Sequence, residues 1–140
     1  MSDSGSSMYR QDILEHYKNP DNFGTLEPHT LAHNGENPLC GDTLEITLNL
    51  GDDGTIEAAR FEGQGCAISQ AATDILLGRI EEMEADEVLS MDEDQLLDVL
   101  GIDVSPLRVK CACLPLVTVQ DGIEIHRGTM DPVDVTRTED

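Results

Sequence analysis

From Leu44 to Leu50 the chain alternates Leu44, Ile46, Leu48 and Leu50 with Glu45, Thr47 and Asn49. An apolar side chain at every second position is the period of a strand with one face in a core and the other in water. Gly51-Asp52-Asp53-Gly54 has the composition of a tight turn, and about Thr55 to Glu62 is expected to return as a second strand. Antiparallel strands joined by a short turn place their outer ends side by side. Asp42 at the entry and Cys66 just past the exit therefore become neighbours.

Those two ends carry unusual chemistry. Asn37-Pro38-Leu39-Cys40-Gly41-Asp42 offers a thiol and a carboxylate two residues apart. Pro38 restricts the backbone ahead of Cys40 and Gly41 permits a sharp turn, so sulfur and carboxylate oxygen can converge on one ion. Cys66, in Gly63-Gln64-Gly65-Cys66-Ala67-Ile68-Ser69, and Cys111, in Arg108-Val109-Lys110-Cys111-Ala112, supply two further sulfurs. Their spacings are not those of a zinc finger. Gly63 and Gly65 allow close approach of backbone to a metal. Cys66 is expected to open a helix over about 67–80, packed through Ala71, Ile75 and Leu76, whose N-terminus favours an anionic sulfur.

These three cysteine blocks, in this order, resemble the U-type iron–sulfur cluster scaffold family: the IscU and SufU proteins and the N-terminal domain of NifU. Tyr9 to Pro20 is similar to the family's opening helix, so the likeness runs from about Tyr9 to Gly122. The resemblance implies a carrier rather than an enzyme. Such a protein receives sulfur from a cysteine desulfurase, builds a labile 2Fe–2S cluster on Cys40, Asp42, Cys66 and Cys111, and passes it to apo-proteins. Cys111 is similar to the persulfide acceptor of IscU-type members and Cys40 to that of SufU-type members, and both stay candidates.

SufU-type members imply an alternative, a zinc-dependent sulfurtransferase that activates the desulfurase without building a cluster. Lys110, where IscU-type members have histidine, favours it; the short segment between Cys66 and Cys111 resembles IscU instead. Ser105-Pro106-Leu107-Arg108 departs from the IscU chaperone-binding sequence. Three thiolates and a carboxylate carry more negative charge than a cluster or zinc neutralises, so Arg108 and Lys110 are candidates to offset it. A purely structural zinc site is the third reading, disfavoured because such sites tend to use cysteine and histidine. Cys113 reads as a small buried hydrophobe, or else as a relay thiol.

The 140 residues, 39% apolar, suffice for one domain over 1–140, with 1–7 and about 127–140 flexible. Four cysteines, no bilayer-spanning apolar run and no basic-then-apolar start point to a cytoplasmic protein with no membrane partner. With 29 acidic against 8 basic residues the formal charge is −21, which leaves no basic patch for nucleic acid.

Along the remaining chain, Ser7 is expected to cap a helix whose stripe is Tyr9, Ile13 and Tyr17 with Leu14 beside it, leaving His16 in solvent. His29, His33 and His126 also read as exposed. Leu31 to His33 is a short strand candidate. Glu81 to Asp98, with nine acidic residues and no basic one, reads as the solvated face of two short helices ending at Gly101. A helix begins at Ser105-Pro106. Pro115 then demands a kink, a fresh start near Leu114, or a hairpin of Leu116–Val119 with Ile123–Ile125 about Asp121-Gly122. The expected fold class is α+β: a small antiparallel sheet of about three strands with helices packed on one side.

The charge also points to a halophile with a salty cytoplasm, since the Debye length falls to about 3 Å at 1 M salt and mutual repulsion is screened; the competing reading is an acidic surface for a basic partner. The melting temperature should accordingly climb as KCl is raised into the molar range. A flat series in calorimetry would remove the halophilic reading.

Overall fold

The computed structural model describes residues 13–38, 40–101 and 106–138, the side chains of 106–108 excepted. Helix α1 occupies residues 13–18 of that span. Strands β1 (Leu31–Asn37), β2 (Asp42–Leu50) and β3 (Ile56–Gln64) follow, then helices α2 (Ala67–Ile80), α3 (Ala85–Leu89), α4 (Glu93–Leu100) and α5 (Pro106–Arg127), and finally strand β4 (Val135–Arg137).

The alternation in β2 is realised as expected. Leu44, Ile46 and Leu48 are at most 4% exposed and pair antiparallel across β3, with Ile46 opposite Phe61 and Leu48 opposite Ala59. Their inner face is covered by α2 and α5, which also pack on each other. Ala71, Ala72, Leu76, Leu77 and Ile80 on α2 are fully buried, as are Cys111, Ala112, Leu114 and Ile123 on α5. Burying one such leucine or isoleucine stabilises the fold by about 1.5–3 kcal/mol, so this inner face dominates the energetics. Ile75, expected on the packing face, is only half-buried.

The sheet differs from the expected one. It has four strands in the order β3-β2-β1-β4, and β4 runs parallel to β1 with Gly35 opposite Thr136. The sheet is therefore mixed rather than wholly antiparallel, and part of the expected C-terminal tail is a strand. Local pattern cannot reveal this, because three residues carry no periodicity and long-range polar contacts hold them. The Thr136 hydroxyl donates to Asp121 Oδ2 at 2.6 Å and accepts from His33 Nε2 at 2.8 Å, while Arg137 Nε meets Glu36 Oε1 at 2.6 Å. His33, expected in solvent, is 7% exposed; β1 continues past it to Asn37, farther than the expected Leu31 to His33.

The opening helix is another correction. Ile13 packs on the core, but Leu14 and Tyr17 are 47% and 44% exposed, so the expected stripe does not bury as a unit. His16 instead turns inward, with Nδ1 2.6 Å from Asp74 Oδ2. Asp74 is 1% exposed and also accepts from the backbone N–H groups of Asp21 and Asn22, at 3.2 and 2.8 Å. A buried carboxylate needs such partners, and here they tie the N-terminal segment to α2. Ser7 and Tyr9 lie outside the described residues.

Helix α5 runs unbroken through Pro115, so the hairpin alternative does not occur. A helix-interior proline costs about 3 kcal/mol, but Leu114, Leu116, Val119 and Ile123 on either side of it all bury, which outweighs that cost. In the acidic stretch, Asp92 accepts from Gln95 N–H at 2.8 Å while Gln95 reaches back to Asp92 N–H at 3.0 Å, and Glu84 and Glu87 form a similar box. The acidic residues thus start α3 and α4 from exposed positions, with Gly101 closing α4 in the left-handed region at φ 64°.

Burial lowers the His33 pKa below its ordinary 6.5, partly offset by the Asp121 charge. As pH falls below about 6.5 the unfolded chain takes up this proton before the folded one, so stability present above that pH is lost. Urea melts of wild type and His33→Gln at pH 7 and pH 5 should show the smaller loss in the variant. Equal losses would deny His33 that role.

Candidate metal centre

The centre grows from the mouth of the β1–β2 connection. Asn37 ends β1 and stands in register with Asp42, which opens β2. Between them the chain turns through Pro38 and Cys40, and Gly41 takes the left-handed φ of 70° that favours glycine. The Cys40 amide donates to the Asn37 carbonyl at 3.2 Å and to Asn37 Oδ1 at 3.3 Å. Asp42 is 1% exposed.

The β2–β3 hairpin brings its far end to this mouth, with Thr43 opposite Gln64. The amide of Cys66 donates to Asp42 Oδ1 at 2.9 Å. Gly65 is required for that contact, because a Cβ there would collide with the Asp42 carboxylate. A Cβ at Gly63 would collide with the Thr43 carbonyl. Sequence reading assigns these two glycines to close approach of a metal; in the fold they make room for Asp42 and for the neighbouring strand.

Helix α5 delivers Cys111 to the same place. Its sulfur is joined to that of Cys40 in a disulfide with Cα atoms 6.4 Å apart. Cys40 Sγ, an Asp42 carboxylate oxygen and Cys111 Sγ all lie within 4.8 Å of one another. Cys111 is fully buried and Cys40 is half-buried. The pair is in its two-electron-oxidised form; reduction to two thiols frees both sulfurs to act as ligands.

Cys66 is not within that three-residue group. Its sulfur instead caps α2, accepting from Ser69 N–H at 3.4 Å. Lys110 is exposed, and the side chain of Arg108 lies outside the described residues. Cys113 is 8% exposed and sits two residues beyond Cys111, about 200° around the helix. Burial, with a contribution from the Glu93 charge, pushes its thiol up to about 11, so it stays protonated and unreactive at neutral pH. That geometry and chemistry disfavour a relay role.

Asn37 and Ser69 escape sequence reading as site residues, although an asparagine three positions ahead of a turn amide is a recognisable turn signal. A second gathering, His16, Asp21 and Asp74, also lies within 4.8 Å, but Asp74 already accepts the hydrogen bonds that anchor α1, which explains the cluster structurally.

Two sulfurs and a buried carboxylate, with a third cysteine at the start of the neighbouring helix, form a donor set for a soft metal at the mouth of a β-hairpin in an α+β fold. Residues 8–131 match the family model described as NifU-like N terminal domain, and the chain belongs to that family. It is 32% identical over 139 residues to the zinc-dependent sulfurtransferase SufU of Bacillus subtilis, an alignment spanning 87% of this chain and 93% of that one. It is 34% identical over 134 residues to the iron–sulfur cluster assembly scaffold protein IscU of Thermotoga maritima, spanning 84% and 93%. Among solved structures, it superposes with a TM-score of 0.65 at 26% identity on a putative iron–sulfur cluster assembly scaffold protein for the SUF system from Fervidobacterium islandicum, covering 80% of this chain and 93% of that one. Among the described residues, no helix is long and apolar enough to cross a membrane.

Because Cys66 serves as helix cap through a weakly accepting sulfur, Cys66→Ser should raise the stability of the metal-free protein by up to about 1 kcal/mol while weakening metal binding. Thermal melting and zinc titration of the same sample separate the two effects. A destabilised variant would contradict the capping role.

Proposed function

We propose that this chain is an iron–sulfur cluster assembly scaffold that accepts sulfur from a cysteine desulfurase, assembles a labile 2Fe–2S cluster and hands it to apo-proteins. The observation that carries this reading is the convergence of Cys40 Sγ, the Asp42 carboxylate and Cys111 Sγ within 4.8 Å, on a chain of the NifU-like family. Cys40, Asp42, Cys66 and Cys111 are the proposed ligands. The cluster is cargo here, so retention and release both matter. Thiolates hold iron firmly, while one hard oxygen among soft sulfurs makes a weaker corner from which the cargo can leave. Asp42 supplies that corner.

Sulfur arrives as a persulfide. An acceptor thiolate attacks the outer sulfur of the donor persulfide; a new S–S bond forms as the donor's breaks, and the donor cysteine leaves as thiolate, with no net oxidation. Cys40 and Cys111 are the candidate acceptors, and the half-buried position of Cys40 against the full burial of Cys111 favours Cys40 for first contact. The disulfide between them must first be reduced by a dithiol or low-molecular-weight thiol. Lys110, and Arg108 by its place in the sequence, remain candidates to offset charge.

The zinc-dependent sulfurtransferase reading has its own support in the SufU relative at 32% identity. Thiolate and carboxylate are donors that tetrahedral zinc accepts, and in this role the protein would take up persulfide sulfur and stimulate the desulfurase. Zinc would hold the sulfurs as thiolates. A cytoplasmic setting suits either reading.

An anaerobic mixture in molar KCl distinguishes them: reduced protein, a desulfurase, cysteine and ferrous iron, with apo-ferredoxin as recipient. The expected result is a 2Fe–2S chromophore on this protein that moves to ferredoxin faster than in its absence, and that lasts longer and transfers more slowly in Asp42→Ala. Persistent bound zinc, no chromophore and faster cysteine turnover would transfer the function to the sulfurtransferase reading.

A further inference from the structure

Asn37 is a fully buried polar residue beside the centre, with 0% exposure, and none of the proposed steps uses it. Burial of an amide is tolerated only where its hydrogen bonds are recovered. Two acceptors of this one residue, the backbone carbonyl and Oδ1, converge on the Cys40 amide at 3.2 and 3.3 Å. The side-chain arm spans three residues, the reach by which an Asn, Asp or Ser oxygen holds the third amide after it at a helix start or turn. Asn37 also stands opposite Asp42 in the β1–β2 register, so one residue touches the backbone of one proposed ligand and faces the other.

We infer that Asn37 is a positioning residue that sets the approach of Cys40 to Cys111 and Asp42. Cys40 lies in the connection between β1 and β2, outside either strand, and is only half-buried. Cys111, by contrast, rides on a buried helix and needs no such restraint. The loop-borne partner of the pair is Cys40, and the paired acceptors of Asn37 hold it. The chemistry of the residue fits the place. Aspartate would offer the same acceptor but add a second carboxylate opposite Asp42 among thiolates, whereas leucine or valine would fill the space and leave the amide of Cys40 with one acceptor fewer. Asparagine is a neutral acceptor of the right length.

The inference deepens the site reading above, but its test involves neither cluster nor zinc, so the two can fail separately. The reduced protein is equilibrated anaerobically with mixed reduced and oxidised glutathione. Formation of the Cys40–Cys111 bond transfers two electrons from the two cysteines to one glutathione disulfide, releasing two glutathione thiols. The fraction closed is read by quenching, differential alkylation and peptide mass spectrometry. Asn37→Ala should shift that equilibrium about tenfold toward the dithiol, the loss of roughly one hydrogen bond's worth of restraint. Asn37→Ser, whose hydroxyl reaches the same amide, should recover most of it, and a merely structural role for the buried side chain would give no such rescue. An equilibrium unchanged in Asn37→Ala, or a shift equally large in Asn37→Ser, would overturn the proposal. A second measurement needs no variant: in the reduced wild-type protein the Cys40 amide should be protected from hydrogen exchange, and exchange at the rate of an open loop would overturn the assignment by itself.

Discussion

The hydrogen bond from the Cys66 amide to Asp42 Oδ1 joins the parts of this molecule that matter for its chemistry. On one side of it stands the mouth of the β1–β2 turn with Cys40; on the other stands the start of α2 with the Cys66 sulfur. The bond costs the chain specific residues: a glycine at position 65, where any Cβ would strike the carboxylate, and a hairpin register that brings Thr43 opposite Gln64. It also orients a carboxylate that is almost wholly buried, holding one oxygen toward α2. A charge-assisted bond of this kind stabilises by about 1.5–3 kcal/mol, enough to help fix the carboxylate's orientation.

The scaffold around it divides its labour. Apolar burial of β2 against α2 and α5 supplies the rigid base, and it makes the position of Cys111 a consequence of core packing rather than of loop geometry. Polar tethers then attach the edges. Asp74 secures α1 through His16 and the Asn22 segment; Thr136 secures β4 through His33 and Asp121. Both tethers use buried ionisable groups, whose cost without partners explains why each is multiply bonded. Cys111 thus sits within the packed core, whereas Cys40 lies in the β1–β2 connection and Cys66 at the start of α2.

Much of this was legible in the chain itself. Alternation of Leu44, Ile46 and Leu48 identified β2, Gly51 to Gly54 identified its turn, and the boundaries of α2 followed from the cysteine before it and the apolar spacing within it. The three cysteine blocks, read in order, were specific enough to identify the family that residues 8–131 match. Where reading failed, the missing information was contact between distant residues. His16 looked exposed because it lies off the apolar stripe, and His33 because its segment is rich in turn residues; His33 is buried and His16 half-buried, each bonded to a partner more than fifty residues away. Pro115 looked like a break because local rules weigh its lost hydrogen bond and not the buried leucines on both sides.

The sequence by itself determined the donor types, the hairpin, the principal helices and the family, since each depends on local period or on short motifs. Only the tertiary structure decided which donors actually meet. It placed Cys40, Asp42 and Cys111 together, turned the Cys66 sulfur toward Ser69, set Cys113 on another side of α5, and added β4 as a parallel edge. The physical reason is that meeting points depend on side-chain direction and strand register summed over the whole core, and no stretch of a dozen residues contains that sum.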